Sequence, residues 1–224
     1  MKIPSYVPKF YTNKLFLYLW EIKLFALVYL LGKQMYLAEL TVQEAQNLHS
    51  KRILQTGAVP GPLSRQLAQA ISEQRKLWIV DVSKNALDLA RRKTKGLRNV
   101  ELVEADASNT GFENRTFDTV IMYFLLHELP KKVKFSVLDE ADRLLERGGL
   151  MIIVDYHKIN DGLFKSIIER IIRCVEPFSG ELMDLNLPKL LENRGFKVEK
   201  TILANSGLYQ FVVAKKGAND KMAT

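Results

Sequence analysis

The sequence predicts an α/β fold, a mostly parallel sheet covered by helices on both faces. Three observations predict it. From residue 52 onward, short apolar strand-like runs alternate with helical patterns at short spacing, as βαβ units require. A glycine-bearing turn, Gly57-Ala58-Val59-Pro60-Gly61, joins the first strand to the first of those helices. Two strand-like runs with no helix between them, 197–203 and 209–214, close the chain around a turn at Gly207 and bring the strand count to seven.

Each element follows from its local pattern. Strand one, 52–56, precedes the turn, and an amphipathic period marks a helix over 63–71. Strand two, 76–80, ends on Asp81, twenty residues beyond Gly61. An acid at that distance suits the two hydroxyls of a cofactor ribose. A helix over 84–94 leads to strand three, 100–103, which runs into Glu104-Ala105-Asp106-Ala107-Ser108. Strand four, 117–124, carries Tyr123 and runs into Leu125-Leu126-His127-Glu128-Leu129-Pro130. The helix over 132–145 is stopped by Gly148-Gly149. Strand five, 150–154, then ends in Asp155-Tyr156-His157, and helices follow over 162–175 and 187–193. The expected organisation is a helical extension (1–50), a Rossmann-like cofactor domain (51–216) and a disordered tail (217–224).

Composition narrows the partners. The chain's 33 basic and 25 acidic side chains give a formal charge of +8, which favours anionic partners. The basic residues are spread along the chain, and no basic run interleaved with aromatics appears, so nucleic acid is not an expected partner. One cysteine, Cys174, excludes an internal disulfide and a multi-cysteine zinc site; its apolar flanks predict a packed thiol. An intracellular setting fits. Residues 15–31 are strongly apolar but are interrupted by Glu21 and Lys23. The uncharged stretch from Leu24 is far short of the ~20 residues a spanning helix needs. An amphipathic helix that caps the core or lies in a membrane interface is expected instead.

Two of the three histidines, His127 and His157, fall at the carboxyl ends of strands, each beside an acid, Glu128 and Asp155. Ligands of open α/β sheets bind along that edge. The cluster could hold a divalent metal tolerant of nitrogen and oxygen ligands, manganese among them, through His127, Glu128, Asp155 and His157. The same groups, with Tyr156, could serve as general acid and base. His49 lies outside this pattern.

The order of parts resembles the class I S-adenosylmethionine (SAM) fold. Most such proteins carry an acid-x-Gly-x-Gly-x-Gly loop, whose acid engages the cofactor's amino group. Here Gln55 stands at the acid's position and Val59 at the middle glycine's, while Gly57 and Gly61 are kept. The resemblance implies a SAM pocket formed by Gln55, Gly57, Val59, Gly61, Asp81, Val82, Asp106, Ala107 and Tyr123. Gln55, Val59, the segments 124–130, 154–157 and 176–178, and Gly207-Leu208-Tyr209-Gln210 also resemble the RquA family of rhodoquinone biosynthesis proteins. One departure is Ala58-Val59-Pro60-Gly61, where that family's loop carries a cysteine and a tyrosine. The resemblance implies amination of ubiquinone to rhodoquinone, with SAM as amino donor, manganese assisting and a lipophilic quinone as substrate. It also implies a cytoplasmic protein peripheral to the inner membrane face, or to the mitochondrial inner membrane in a eukaryote. A methyltransferase acting on a quinone or other small lipophilic acceptor stays open, as does a catalytically silent SAM-fold binding protein.

Overall fold

A computed structural model describes residue 4 and residues 34–47, 51–58, 61–159, 169–174, 176 and 178–217. The apolar segment 15–31, Val59 and the tail beyond Gly217 lie outside the described residues. No helix among the described residues is long and apolar enough to cross a membrane.

The elements run α1 (Gln34–Asn47), β1 (Arg52–Thr56), α2 (Leu63–Ala70), β2 (Lys76–Asp81), α3 (Lys84–Lys93), β3 (Val100–Glu104) and β4 (Phe117–Tyr123). After a 3-10 turn at Leu126–Glu128 come α4 (Lys131–Leu144), β5 (Leu145–Tyr156), α5 (Ser179–Met183), α6 (Leu187–Asn193), β6 (Phe196–Ala204) and β7 (Tyr209–Lys216). The seven strands form one sheet in the order β3-β2-β1-β4-β5-β7-β6. All neighbours are parallel except β7, which is antiparallel to both β5 and β6.

Period-two alternation builds two apolar layers. Ile53, Ile79, Ile121 and Ile152 pack on one face with Leu37 of α1, Leu67 of α2 and Leu87 of α3. Their chain neighbours Leu54, Val80, Met122 and Ile153 pack on the other with Val137 and Leu138 of α4 and Leu191 of α6. Successive strand side chains point to opposite faces, so a sheet covered on both sides reads as the continuous apolar runs seen in the sequence. Two helices, α3 and α6, begin where short polar side chains supply missing backbone partners. Ser83 accepts from Ala86 N, and Asn186 accepts from Lys189 N.

One boundary differs from the sequence reading. Gly148-Gly149 does not stop α4; the helix gives way at Leu145, and β5 begins there, well before residue 150. Leu145 pairs with Phe117, and the register then shifts so that Leu150 pairs with Thr119. A Cβ on Gly149 would lie 2.9 Å from Glu146 O and 3.0 Å from Asp118 O. That glycine lets two strand backbones close on each other at a bulge.

The chain leaves β3, crosses the sheet and returns as β4 beside β1. The strand order therefore reverses between β1 and β4, which opens a crevice at their carboxyl ends.

Candidate active site

On the β1 side of this crevice the backbone makes the site. Gly57 has φ +89, a conformation that L side chains rarely adopt, and its N–H donates to Val80 O at 2.8 Å. Gly61 has φ +111, again a conformation that favours glycine. Asp81, half-buried at the end of β2, holds the loop in place: Oδ2 accepts from Ala58 N and Oδ1 from Ser83 N. Burial raises its pKa, and the two N–H donors partly offset that rise. Asp106 Oδ1 accepts from the N and Oγ of Ser108, and Ala105 N donates to Asp81 O, which joins the turns after β2 and β3. Val82 and Ala107 sit partly exposed in these turns, while Tyr123 is buried against Phe124.

Gln55 is fully buried and turned into its own loop. Its Nε2 donates to Gly57 O at 2.9 Å, and its Oε1 accepts from Ser64 Oγ at 3.0 Å. The amide bolts the end of β1 to the start of α2 and presents no charge toward the crevice. These features fit an adenosyl cofactor. Asp81 and Asp106 offer carboxylate oxygens after the adjacent strands β2 and β3, and Gly57 turns the backbone without a side chain.

The β4 side is built from side chains. Phe124 has φ +52, an outlier for a bulky residue, and turns the chain sharply after β4 while its N–H donates to Val154 O. The following 3-10 turn is caught by Asp155, which is fully buried at the end of β5. Its Oδ2 accepts from the backbone N of Leu126 at 2.8 Å and of His127 at 3.3 Å. Its Oδ1 accepts from Tyr156 N at 2.8 Å and lies 2.7 Å from His127 Nδ1. On the other edge of the imidazole, His127 Nε2 stands 3.1 Å from Glu176 Oε2 and 3.9 Å from Glu128 Oε1. Tyr156 OH donates to Glu176 Oε1 at 3.3 Å. The Nε2–Glu176 approach is an ion-pair distance off the hydrogen-bond axis, and Oε2 is buried with no hydrogen bond.

Charge crowding sets the protonation of this cluster. For His127, burial favours the neutral ring, but the Asp155 and Glu176 carboxylates outweigh it and raise the pKa above the ordinary 6.5. Burial pushes Glu128 well above the usual carboxylate range, helped by Glu176 and Asp155. Burial also raises Glu176, with His127 opposing. Tyr156 is raised for the same reason, burial first and Glu176 next. His127, Glu128, Glu176 and Tyr156 thus each hold a proton more tightly than the free side chain does, a property acid–base chemistry can use. Lys134, nearly inaccessible, donates to the carbonyls of Leu129 and Phe178 and to Glu181 Oε2 at 3.3 Å. It braces α4 against this loop from below.

Three readings from sequence change. His157 does not join His127: its N–H donates to Leu208 O, and its Nδ1 lies 3.0 Å from Gly207 O, which turns it toward the β6–β7 turn. The fourth member of the cluster is Glu176, which the strand-end reasoning passed over because it comes from the far side of the 160–175 connection. The donor set does not suit manganese. Asp155 already accepts from three backbone N–H groups and the imidazole, both ring nitrogens of His127 face carboxylates, and no metal-holding group of three such side chains occurs among the described residues. Cys174 is exposed rather than packed.

The strand order, the antiparallel seventh strand and the crevice between β1 and β4 are those of the class I SAM-dependent methyltransferase fold. Residues 53–149 match the family model described as a methyltransferase domain. Over 116 residues, 52% of this chain, the sequence is 31% identical to the demethylmenaquinone methyltransferase of Staphylococcus saprophyticus, covering 49% of that protein. It is 31% identical over the same length to that of Staphylococcus epidermidis, covering 47%. The chain thus spans about half the length of the curated relatives it matches. Among solved structures, a SAM-dependent methyltransferase from Aquifex aeolicus superposes with a TM-score of 0.62 at 21% identity, over 80% of this chain and 88% of that one. The N-methyltransferase NodS from Bradyrhizobium japonicum, in complex with S-adenosyl-l-homocysteine, superposes with a TM-score of 0.58 at 13% identity, over 80% and 86%. These likenesses at low identity speak to the fold.

Proposed function

We propose that the protein is a SAM-dependent transferase that modifies the ring of a lipophilic quinone or a related phenolic acceptor, with methyl as the group transferred. The observation that carries the reading is Glu176 Oε2, a buried acceptor without a hydrogen bond beside His127, at the strand ends bordering the glycine turn. A hydroxyl of the reduced (quinol) ring placed there would give its proton to the Glu176 carboxylate beside His127 Nε2, while Asp155 holds the opposite ring nitrogen, Nδ1. Losing the proton makes the ring electron-rich and nucleophilic. Bound SAM would supply an electrophilic methyl group; its sulfur–methyl bond breaks as the carbon–carbon bond forms, S-adenosylhomocysteine leaves, and the methylated ring carbon releases its hydrogen as a proton. Gly57, Gly61, Asp81 and Asp106 would hold the cofactor, with Val82, Ala107 and Tyr123 lining it. The quinone part of the reading is supported by the demethylmenaquinone methyltransferases, which share the matched segment.

Gln55 favours a second reading, transfer of the cofactor's amino nitrogen. Its amide is occupied by Gly57 and Ser64, so the acid that would pair with a SAM ammonium is replaced by a neutral internal strut. Loss of that pairing is worth on the order of 1–2 kcal/mol and leaves the nitrogen less firmly held. The apolar residues 15–31 are proposed to bring the protein to the membrane that holds such substrates.

Incubation with a demethylmenaquinone or ubiquinone analogue, using SAM labelled in the methyl group or in the amino nitrogen, tests both readings. Methyl label in the quinone supports the first, nitrogen label the second. Unmodified quinone with intact cofactor would contradict both and leave a binding protein.

A further inference from the structure

A cavity of about 360 Å³ is lined by residues from the end of β5, from β6 and β7, and from the α5–α6 segment. Gln210 of β7 lines it and is only 1% exposed. Its Nε2 donates to Tyr156 O at 2.8 Å. A carbonyl can only accept, so the amide must turn its NH₂ that way, which leaves Oε1 buried without a hydrogen bond. His157 lines the same cavity. Its Nδ1 faces Gly207 O, again an acceptor, so Nδ1 carries a hydrogen, and in the neutral ring that tautomer makes Nε2 an acceptor on the opposite edge. The remaining wall includes Met183, Leu187 and Leu203.

A buried acceptor that lacks a donor is costly, on the order of 1–3 kcal/mol, and a ligand that supplies the donor recovers that energy. We propose that this cavity is a binding site for a small amphipathic molecule that donates a hydroxyl hydrogen to Gln210 Oε1 and rests its apolar body on Met183, Leu187 and Leu203. A phenol or an alkyl alcohol has that chemistry; an ether or a carbonyl compound of the same shape lacks the donor. His157 Nε2 offers a second acceptor for a dihydroxy ligand. The inference stands on this cavity alone and does not depend on the transferase reading.

The test uses ligand-observed NMR on the full chain with alkylated hydroquinone and its dimethyl ether, which matches its ring but lacks both donors. Wild type is expected to bind the hydroquinone at least tenfold more tightly than the ether. Gln210→Leu is expected to lose that preference. Because Gln210 also holds Tyr156 O, a second variant leaves the buried network alone: Thr201→Trp places a large ring from an exposed position at the cavity wall and is expected to abolish binding of both probes. Equal binding of the two probes by wild type, no binding of either, or hydroquinone binding unchanged in Thr201→Trp would each overturn the proposal.

Discussion

The two sides of the β1–β4 crevice are made in different ways. On the β1–β2–β3 side, backbone does the work: turns with positive φ at Gly57 and Gly61, and carboxylates at strand ends that accept from the N–H groups of the next turn. Each contact there links residues close in sequence or on adjacent strands. On the β4–β5 side, Asp155, His127, Glu128, Tyr156 and Glu176 gather from three separate segments; burial raises the pKa of Glu128, Tyr156 and Glu176, and neighbouring carboxylates raise that of His127 against burial. The difference suggests a division of labour, a preformed cradle on one side and a proton-handling cluster on the other.

The largest effect is expected where the second side is anchored. Asp155→Ala strips partners from three buried backbone N–H groups and from His127. Breaking such a buried network costs roughly 3–5 kcal/mol, read as a lowered denaturant midpoint at unchanged slope. A shift no larger than that of an exposed carboxylate such as Asp139→Ala would break the comparison. On the first side, Gln55→Glu restores the usual acid but removes the donor to Gly57 O and sets a carboxylate against that carbonyl. A loss of about 1–3 kcal/mol in stability is expected, so the change should not act as a simple improvement of the cofactor site. Calorimetric unfolding decides it; a gain in stability would mean that the strut is dispensable.

The smallest effect sharpens the electrostatics. NMR titration should place the His127 pKa above 6.5 in wild type, since Asp155 and Glu176 together outweigh burial. Glu176→Gln removes one of the two raising carboxylates, so the ring should deprotonate at lower pH than in wild type. An unchanged or higher value would place Glu176 outside the cluster.

Much of the first side was legible in the sequence. The run from Arg52 to Asp81 contains the strand, the turn, the helix and the acid in order, and local backbone rules fix each. The sequence could not reveal that both ends of the Gln55 amide are taken, because Ser64 reaches it only once α2 has docked. The second side was legible only in part. His127 and Asp155 stand at strand ends, where topology makes them neighbours. Adjacency along the chain suggested that His157 would follow Asp155 into the cluster, but β5 ends at Tyr156 and the β6–β7 turn captures the next residue. Glu176 carried one signal, its place in the Glu176-Pro177-Phe178 segment, and its position beside His127 is a tertiary contact that no local pattern encodes. The glycine pair at 148–149 misled for a similar reason. A helix stop and a strand bulge use the same residue, and only the closeness of Asp118 O tells them apart.

Separation of binding from chemistry across the crevice is the expectation. It is tested most directly by measuring S-adenosylhomocysteine affinity and single-turnover rate at saturating cofactor, in Asp81→Ala and His127→Gln side by side. Asp81→Ala is expected to weaken affinity by about 1.5–3 kcal/mol and leave the saturated rate within a few-fold of wild type. His127→Gln is expected to keep wild-type affinity and lose roughly 10²–10⁴ in rate. Parallel loss of both quantities in both variants would contradict the division.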